Sequence, residues 1–91
     1  MVDRQWQLKF TKLAQKDAKK LAAAGLKPKA QKLLEIIKQN PFTNPPRYEK
    51  LQGDLNGAYS RRINLQHRLV YEVLDLEYTV KIIRMWSHYG E

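Results

Sequence analysis

Between residues 40 and 57 the chain reads NPFTNPPRYEKLQGDLNG, and the three prolines and two glycines of this stretch constrain the fold more than any other feature. Proline lacks an amide hydrogen, and it drives the residue before it out of the helical region. A helix therefore cannot run through Asn40-Pro41. The stretch is too punctuated for a regular element. Phe42, Tyr48, Leu51 and Leu55 nevertheless give it apolar anchors, so it is expected to be an ordered connecting loop and not a domain linker.

The apolar pattern changes period across that stretch. Before it, Trp6, Leu8 and Phe10 alternate with Gln5, Gln7 and Lys9, which predicts a half-buried strand over 5–10. Thr11 offers a hydroxyl cap to a helix over 12–24 that carries Leu13, Ala14, Asp17, Ala18, Leu21 and Ala22 at helical spacing, with Gly25 to close it. Pro28 sits in the first turn of a second helix, in which Ala30, Leu33, Leu34 and Ile37 recur at i, i+3, i+4 and i+7. After the stretch, three strands are predicted over 59–64, 68–74 and 78–86. The turns at 65–67 and 75–77 are short enough to make them an antiparallel meander.

This order, β-α-α-β-β-β, predicts an α+β fold. A twisted, mainly antiparallel sheet would be covered on one face by a helical hairpin. The opposite face would stay partly open, and function is expected there. Ninety-one residues suffice for one small domain spanning 1–91.

Composition narrows the partners. There is no cysteine, so packing alone must hold the fold, as suits a reducing cytoplasm. The N-terminus lacks the basic-then-apolar pattern of a signal peptide, and no apolar run is long enough to span a bilayer, so no membrane role is expected. Seventeen Lys and Arg against nine Asp and Glu give a net charge of +8, a field that favours polyanions, nucleic acid first and an acidic protein second. Lys16, Lys19, Lys20, Lys27, Lys29, Lys32 and Lys38 decorate the two helices. They read as a solvated face, or alternatively as non-specific contacts to RNA phosphates.

The chemistry-bearing residues concentrate in 48–71 and at the C-terminus. Of Arg61 and Arg62, which face opposite ways on a strand, one can share a face with Arg68 and make a guanidinium pair suited to phosphate. Glu49 is placed to act over these arginines as a general base or as an ion-pair partner. His88 follows a strand and belongs to the residue type that titrates near neutral pH; Tyr89 can donate to a phosphate or stack on a base. His67 reads as structural and Trp86 as core. There is no phosphate-cradling glycine loop before a helix, no clustered metal-ligand set and no serine-nucleophile signature, so no metal and no cofactor are expected. What remains is acid–base chemistry with arginine clamps, which RNA permits because its own 2′-OH can serve as nucleophile.

The segments YEKLQGDLNGAYSRRINLQHRLVYEV and RMWSHYGE resemble the YoeB/Txe toxins, a branch of the RelE/ParE superfamily of bacterial toxin–antitoxin modules. The E-x-L, S-R-R-I, H-R-L-V-Y and terminal H-Y pieces occur in the family's order and spacing. The resemblance implies a cytoplasmic, ribosome-dependent endoribonuclease that cuts mRNA in the A site. It also implies neutralisation by a cognate YefM/Axe-like antitoxin, and a possible homodimer. Carried over by position, Glu49 is the general base, Arg68 the phosphate-binding arginine, His88 the general acid and Tyr89 the substrate-orienting tyrosine, with Lys50 and Arg62 as further phosphate contacts. Ala58-Tyr59 stands where the family usually has two aromatics, and Gly90-Glu91 extends past the tyrosine that ends some relatives. Two other readings stay open: a non-catalytic or gyrase-directed ParE-like toxin, and a plain basic RNA-binding module.

Overall fold

The computed structural model of the chain describes residues 5–53 and 56–87. Strand β1 (Gln7–Phe10) leads into helix α1 (Lys12–Ala23) and helix α2 (Lys27–Gln39). Four strands follow: β2 (Tyr48–Lys50), β3 (Ala58–Arg62), β4 (Arg68–Leu74) and β5 (Thr79–Ser87). They form one sheet in the order β1-β5-β4-β3-β2, antiparallel throughout except that β1 runs parallel to β5. The α+β class, the helical pair and the mainly antiparallel sheet are as the pattern predicts.

Local chemistry sets the helix ends. The Thr11 hydroxyl accepts from the Ala14 amide at 3.0 Å and donates to the Ile83 carbonyl at 2.8 Å, so one side chain both caps α1 and ties it to β5. At the other end, the amides of Gly25 and Leu26 donate to the carbonyls of Ala22 and Leu21, with Gly25 at φ 76. This is a Schellman closure, and the positive φ is why a glycine is needed there. The buried faces of the helices, Ala14 and Leu21 on α1 and Ala30, Leu33, Leu34 and Ile37 on α2, pack on Leu69, Tyr71, Val80, Ile82 and Met85 of the sheet. A buried Asp17 on α1 accepts from Arg84 Nε at 2.8 Å and from the Met85 amide at 2.9 Å. In the same part of β5 the pairing with β4 is irregular, with register shifts between Arg68 and Val70 and between Val70 and Tyr71. Such bulges re-aim side chains near strand ends.

The proline-rich stretch departs from expectation. Residues 48–50 form β2, paired with β3 through Tyr48↔Arg61, Glu49↔Ser60 and Lys50↔Tyr59, where an irregular loop is predicted. Three residues are too few to show a period, and the pairing depends on tertiary contacts. Arg61 supplies them. Its fully buried guanidinium donates to the Tyr71 hydroxyl at 3.1 Å, to the Pro41 carbonyl at 2.9 Å and to the Pro46 carbonyl. Tyr71 in turn donates to the Pro41 carbonyl at 2.8 Å. Phe42, Tyr48 and Tyr59 add edge contacts with ring centroids 5.4 to 6.0 Å apart.

Other boundaries shift less. The strand predicted to reach Asn64 ends at Arg62, and the 75–77 turn is a single 3-10 turn closed by Tyr78 at φ 49, so that β5 starts at Thr79. At the front, Trp6 lies outside β1, its amide bonded to the Lys38 carbonyl at the end of α2 and its ring stacked on Tyr78 at 4.2 Å.

Candidate active site

Strand alternation sorts the arginines. On β3, Tyr59 and Arg61 face the helices and the proline-rich stretch, which leaves Ser60 and Arg62 on the opposite face. In register, Glu49 opposes Ser60 and Arg62 opposes Arg68, so Glu49, Ser60, Arg62 and Arg68 share one face of the sheet, with Arg62 at its margin toward α2. There they line a cleft of about 280 Å³ together with Pro46 and Arg47. Of the two candidate partners for Arg68, the structure selects Arg62 and makes Arg61 part of the scaffold.

Arg68 is the centre of the cleft. Its Nη1 donates to Glu49 Oε1 and to the Ser60 hydroxyl, the latter at 3.0 Å. The Arg68 side chain is only 10% exposed and that of Glu49 is 42% exposed, so the arginine forms the floor and the carboxylate the rim. Arg47 approaches the other oxygen of Glu49 at 3.9 Å. The hydrogen bond from Arg68 and then its charge hold the Glu49 carboxyl below its ordinary pKa, against a smaller opposing effect of burial, and Arg47 and Arg62 add to the lowering. Glu49 is therefore ionised at neutral pH. Three guanidiniums face one carboxylate, and two of them, Arg62 and Arg68, stand directly opposite on neighbouring strands. Like charges so placed repel, and an anion bound between them relieves the repulsion.

Lys50 does not join this group. It follows Glu49 on β2 and pairs with Tyr59, so strand alternation places it on the opposite face, and it is not among the residues lining the cleft. Any phosphate that Lys50 contacts is therefore not one held in this cleft. His88 and Tyr89 lie outside the described residues. What the structure does place is Ser87, the last residue of β5, in register with Arg68. His67 is buried and stacks on Trp86 at 3.8 Å, consistent with a structural role.

Two residues of the cleft were not singled out from sequence. Ser60 precedes the arginine pair, and the period of two that links it to Arg62 signals a shared face. Arg47 bears the same relation to Glu49, but only once 48–50 is known to be a strand.

The comparisons with known proteins agree with this fold. Residues 5–89 match the model of a family described as YoeB-like toxin of bacterial type II toxin-antitoxin system. The chain belongs to that family. Among curated relatives, Toxin YoeB of Mycobacterium bovis is 45% identical over 49 residues, a match that covers 54% of this chain and 58% of that protein. The chain thus spans little more than half the length of that relative. Solved structures match more completely. A YoeB/ParE toxin from Agrobacterium tumefaciens superposes with a TM-score of 0.82 at 30% identity, covering 91% of this chain and 99% of that one. A chain of the YoeB-YefM complex from Staphylococcus aureus superposes with a TM-score of 0.77 at 36% identity, covering 92% and 98%. No helix among the described residues is long and apolar enough to cross a membrane.

Proposed function

We propose that this chain is a ribosome-dependent endoribonuclease, the toxin of a type II toxin–antitoxin pair, and that its reaction is centred on the cleft between Glu49 and Arg68. The observation that carries the reading is the ionised Glu49 held by Arg68 in a cleft otherwise lined by cationic and neutral groups. RNA carries both the nucleophile and the electrophile such a pair can serve. Glu49 takes the proton from the 2′-OH. The alkoxide attacks the adjacent phosphorus while Arg68 and Arg62 stabilise the charge on its non-bridging oxygens, and the bond to the 5′ oxygen breaks. His88, the residue next in sequence to Ser87, protonates the leaving oxygen, and Tyr89 orients the substrate. The products are a 2′,3′-cyclic phosphate, or the 3′-phosphate that its hydrolysis gives, and a 5′-hydroxyl.

The resting ion pair gives this scheme a trigger. While Arg68 is bonded to Glu49, the carboxylate is a weak base. A phosphate that draws Arg68 onto itself removes the interaction lowering the Glu49 pKa and raises its basicity where the proton must be taken. Ser60 keeps Arg68 in place during the exchange, because it holds the guanidinium independently of Glu49.

The Staphylococcus aureus chain similar to this one was solved in complex with YefM, and a YoeB from the same organism as a dimer. By analogy a YefM-like antitoxin neutralises this chain in the cytoplasm, and homodimerisation fits the same comparison. The test of function is to incubate the purified protein with translating ribosomes and map mRNA 5′ ends, with Glu49→Ala and His88→Ala alongside. Cuts in phase with codons that disappear in both variants are expected. Intact mRNA with the wild-type protein overturns the reading.

A further inference from the structure

We infer that the RNA strand cut in the Glu49–Arg68 cleft continues over Arg62 onto the start of helix α2, where Lys29 and Lys32 hold its flanking phosphates. This rests on the proposed function of the cleft and adds to it an extended binding track. Its basis is that the cleft does not end at the sheet. Arg62 and Pro46 also line a second cleft of about 410 Å³, whose other wall is α2 with Lys29 and Lys32. Arg62 and Lys29 in turn line a third, open one of about 620 Å³ beside the β3–β4 turn, with Leu65 and Gln66 at its lip. Arg62 thus stands where three contiguous depressions meet. A strand lying in the first and leaving past Arg62 meets Lys29 whichever of the other two it takes.

The placement of the lysines supports a ligand over a merely solvated face. The first turn of α2 contains no acidic residue, and its cap makes no side-chain hydrogen bond. Lys29, in that first turn, sits at the unfavourable end of the helix dipole. Lys29 and Lys32, three apart, add like-charge repulsion. Neither forms a salt bridge among the described residues, and both are exposed. Such an arrangement is disfavoured in the free protein and relieved by a polyanion. Leu65, 88% exposed at the lip, offers an apolar surface to an unstacked base.

The test measures binding of RNA analogues carrying a 2′-deoxy substitution at the scissile nucleotide, so that nothing is cut. A dinucleotide analogue spans the cleft alone, and a longer single strand reaches α2. For Lys29→Gln/Lys32→Gln, the longer strand should bind more weakly. Its slope of log affinity against log salt should fall by about 1.4, or ~0.7 for each lost phosphate contact on a single strand. Binding of the dinucleotide should not change. The charge-matched control Lys16→Gln/Lys19→Gln, on α1, should leave the slope for the longer strand as it is. Equal losses in both double variants would show a diffuse field without a track and overturn the inference. So would an unchanged slope in the Lys29/Lys32 variant, including the case in which that variant loses affinity only for an acidic peptide. If the wild type binds neither analogue, the reading of the cleft itself fails as well. If it binds the dinucleotide but gains nothing from length, only the track is lost.

Discussion

At the scale of single residues, Arg68 has two partners of different kinds, and that asymmetry decides what its neighbours do. Glu49 is charged, partly exposed and replaceable by a phosphate. Ser60 is neutral, fully buried and stays. In the free protein the Glu49 carboxyl, followed by carbon-detected NMR, should titrate below the ordinary glutamate value of about 4.3, because Arg68 hydrogen-bonds and attracts its charged form. In Arg68→Gln the midpoint should move up toward that value, and an unchanged midpoint would refute the cause given. Ser60→Ala should leave the sheet intact but loosen Arg68. A hydrogen bond to a charged group is worth about 1.5–3 kcal/mol, so single-turnover cleavage should slow by roughly 10- to 100-fold. A Ser60→Ala protein that cleaves at the wild-type rate would show that Glu49 alone positions the arginine. Of this cleft, Glu49 and Arg68 were candidates from residue type and from the family resemblance, and what the structure adds is that they are paired. Ser60 was not singled out, since a buried serine carries no signal until strand pairing puts it under a guanidinium.

At the scale of elements, the joint between α1 and β5 is held by an ion pair with a buried carboxylate. Burial alone would raise the Asp17 carboxyl. The hydrogen bond from Arg84, the Met85 amide, the charge of Arg84 and the Trp86 amide outweigh it and leave the pKa below its ordinary value. A carboxyl with a lowered folded-state pKa contributes stability that is fully present above its unfolded value, about 3.9, and is lost as pH falls through the folded one. Asp17→Ala should therefore destabilise the fold at neutral pH by about 3 kcal/mol, the lower end for breaking a buried pair, since Arg84 is partly exposed. The difference from wild type should shrink as the medium is acidified below pH of about 4. Denaturant melts of both proteins at neutral and acid pH check it, and a pH-independent difference would mean that Asp17 acts by packing alone. The joint adjoins the site along the strand: Arg84 and Met85 lie in the segment between Ile82 and Ser87 where the register of β5 shifts, and that segment ends opposite Arg68.

At the scale of the whole molecule, a net charge of +8 on 91 residues is divided by the sheet into two uses. On the open face arginines converge on one cleft, whereas most lysines spread over the helices. Binding of an uncleavable RNA should accordingly fall linearly in log affinity against log salt, at ~0.7 for each phosphate contacted. A salt-independent affinity would mean that the charge only keeps the protein dispersed. Residue order by itself determined the class, the two helices and the three C-terminal strands, because hydrophobic period and turn chemistry are local properties of the chain. Only the tertiary structure decided that residues 48–50 are a strand, that Arg61 is scaffold while Arg62 faces Arg68, that Lys50 points away, and that Ser60 and Arg47 belong to the cleft. Each of these depends on which strand lies beside which and in what register, and register is set by contacts between residues far apart in sequence: Arg61 on the carbonyls of Pro41 and Pro46, and Glu49 against Ser60 and Arg68.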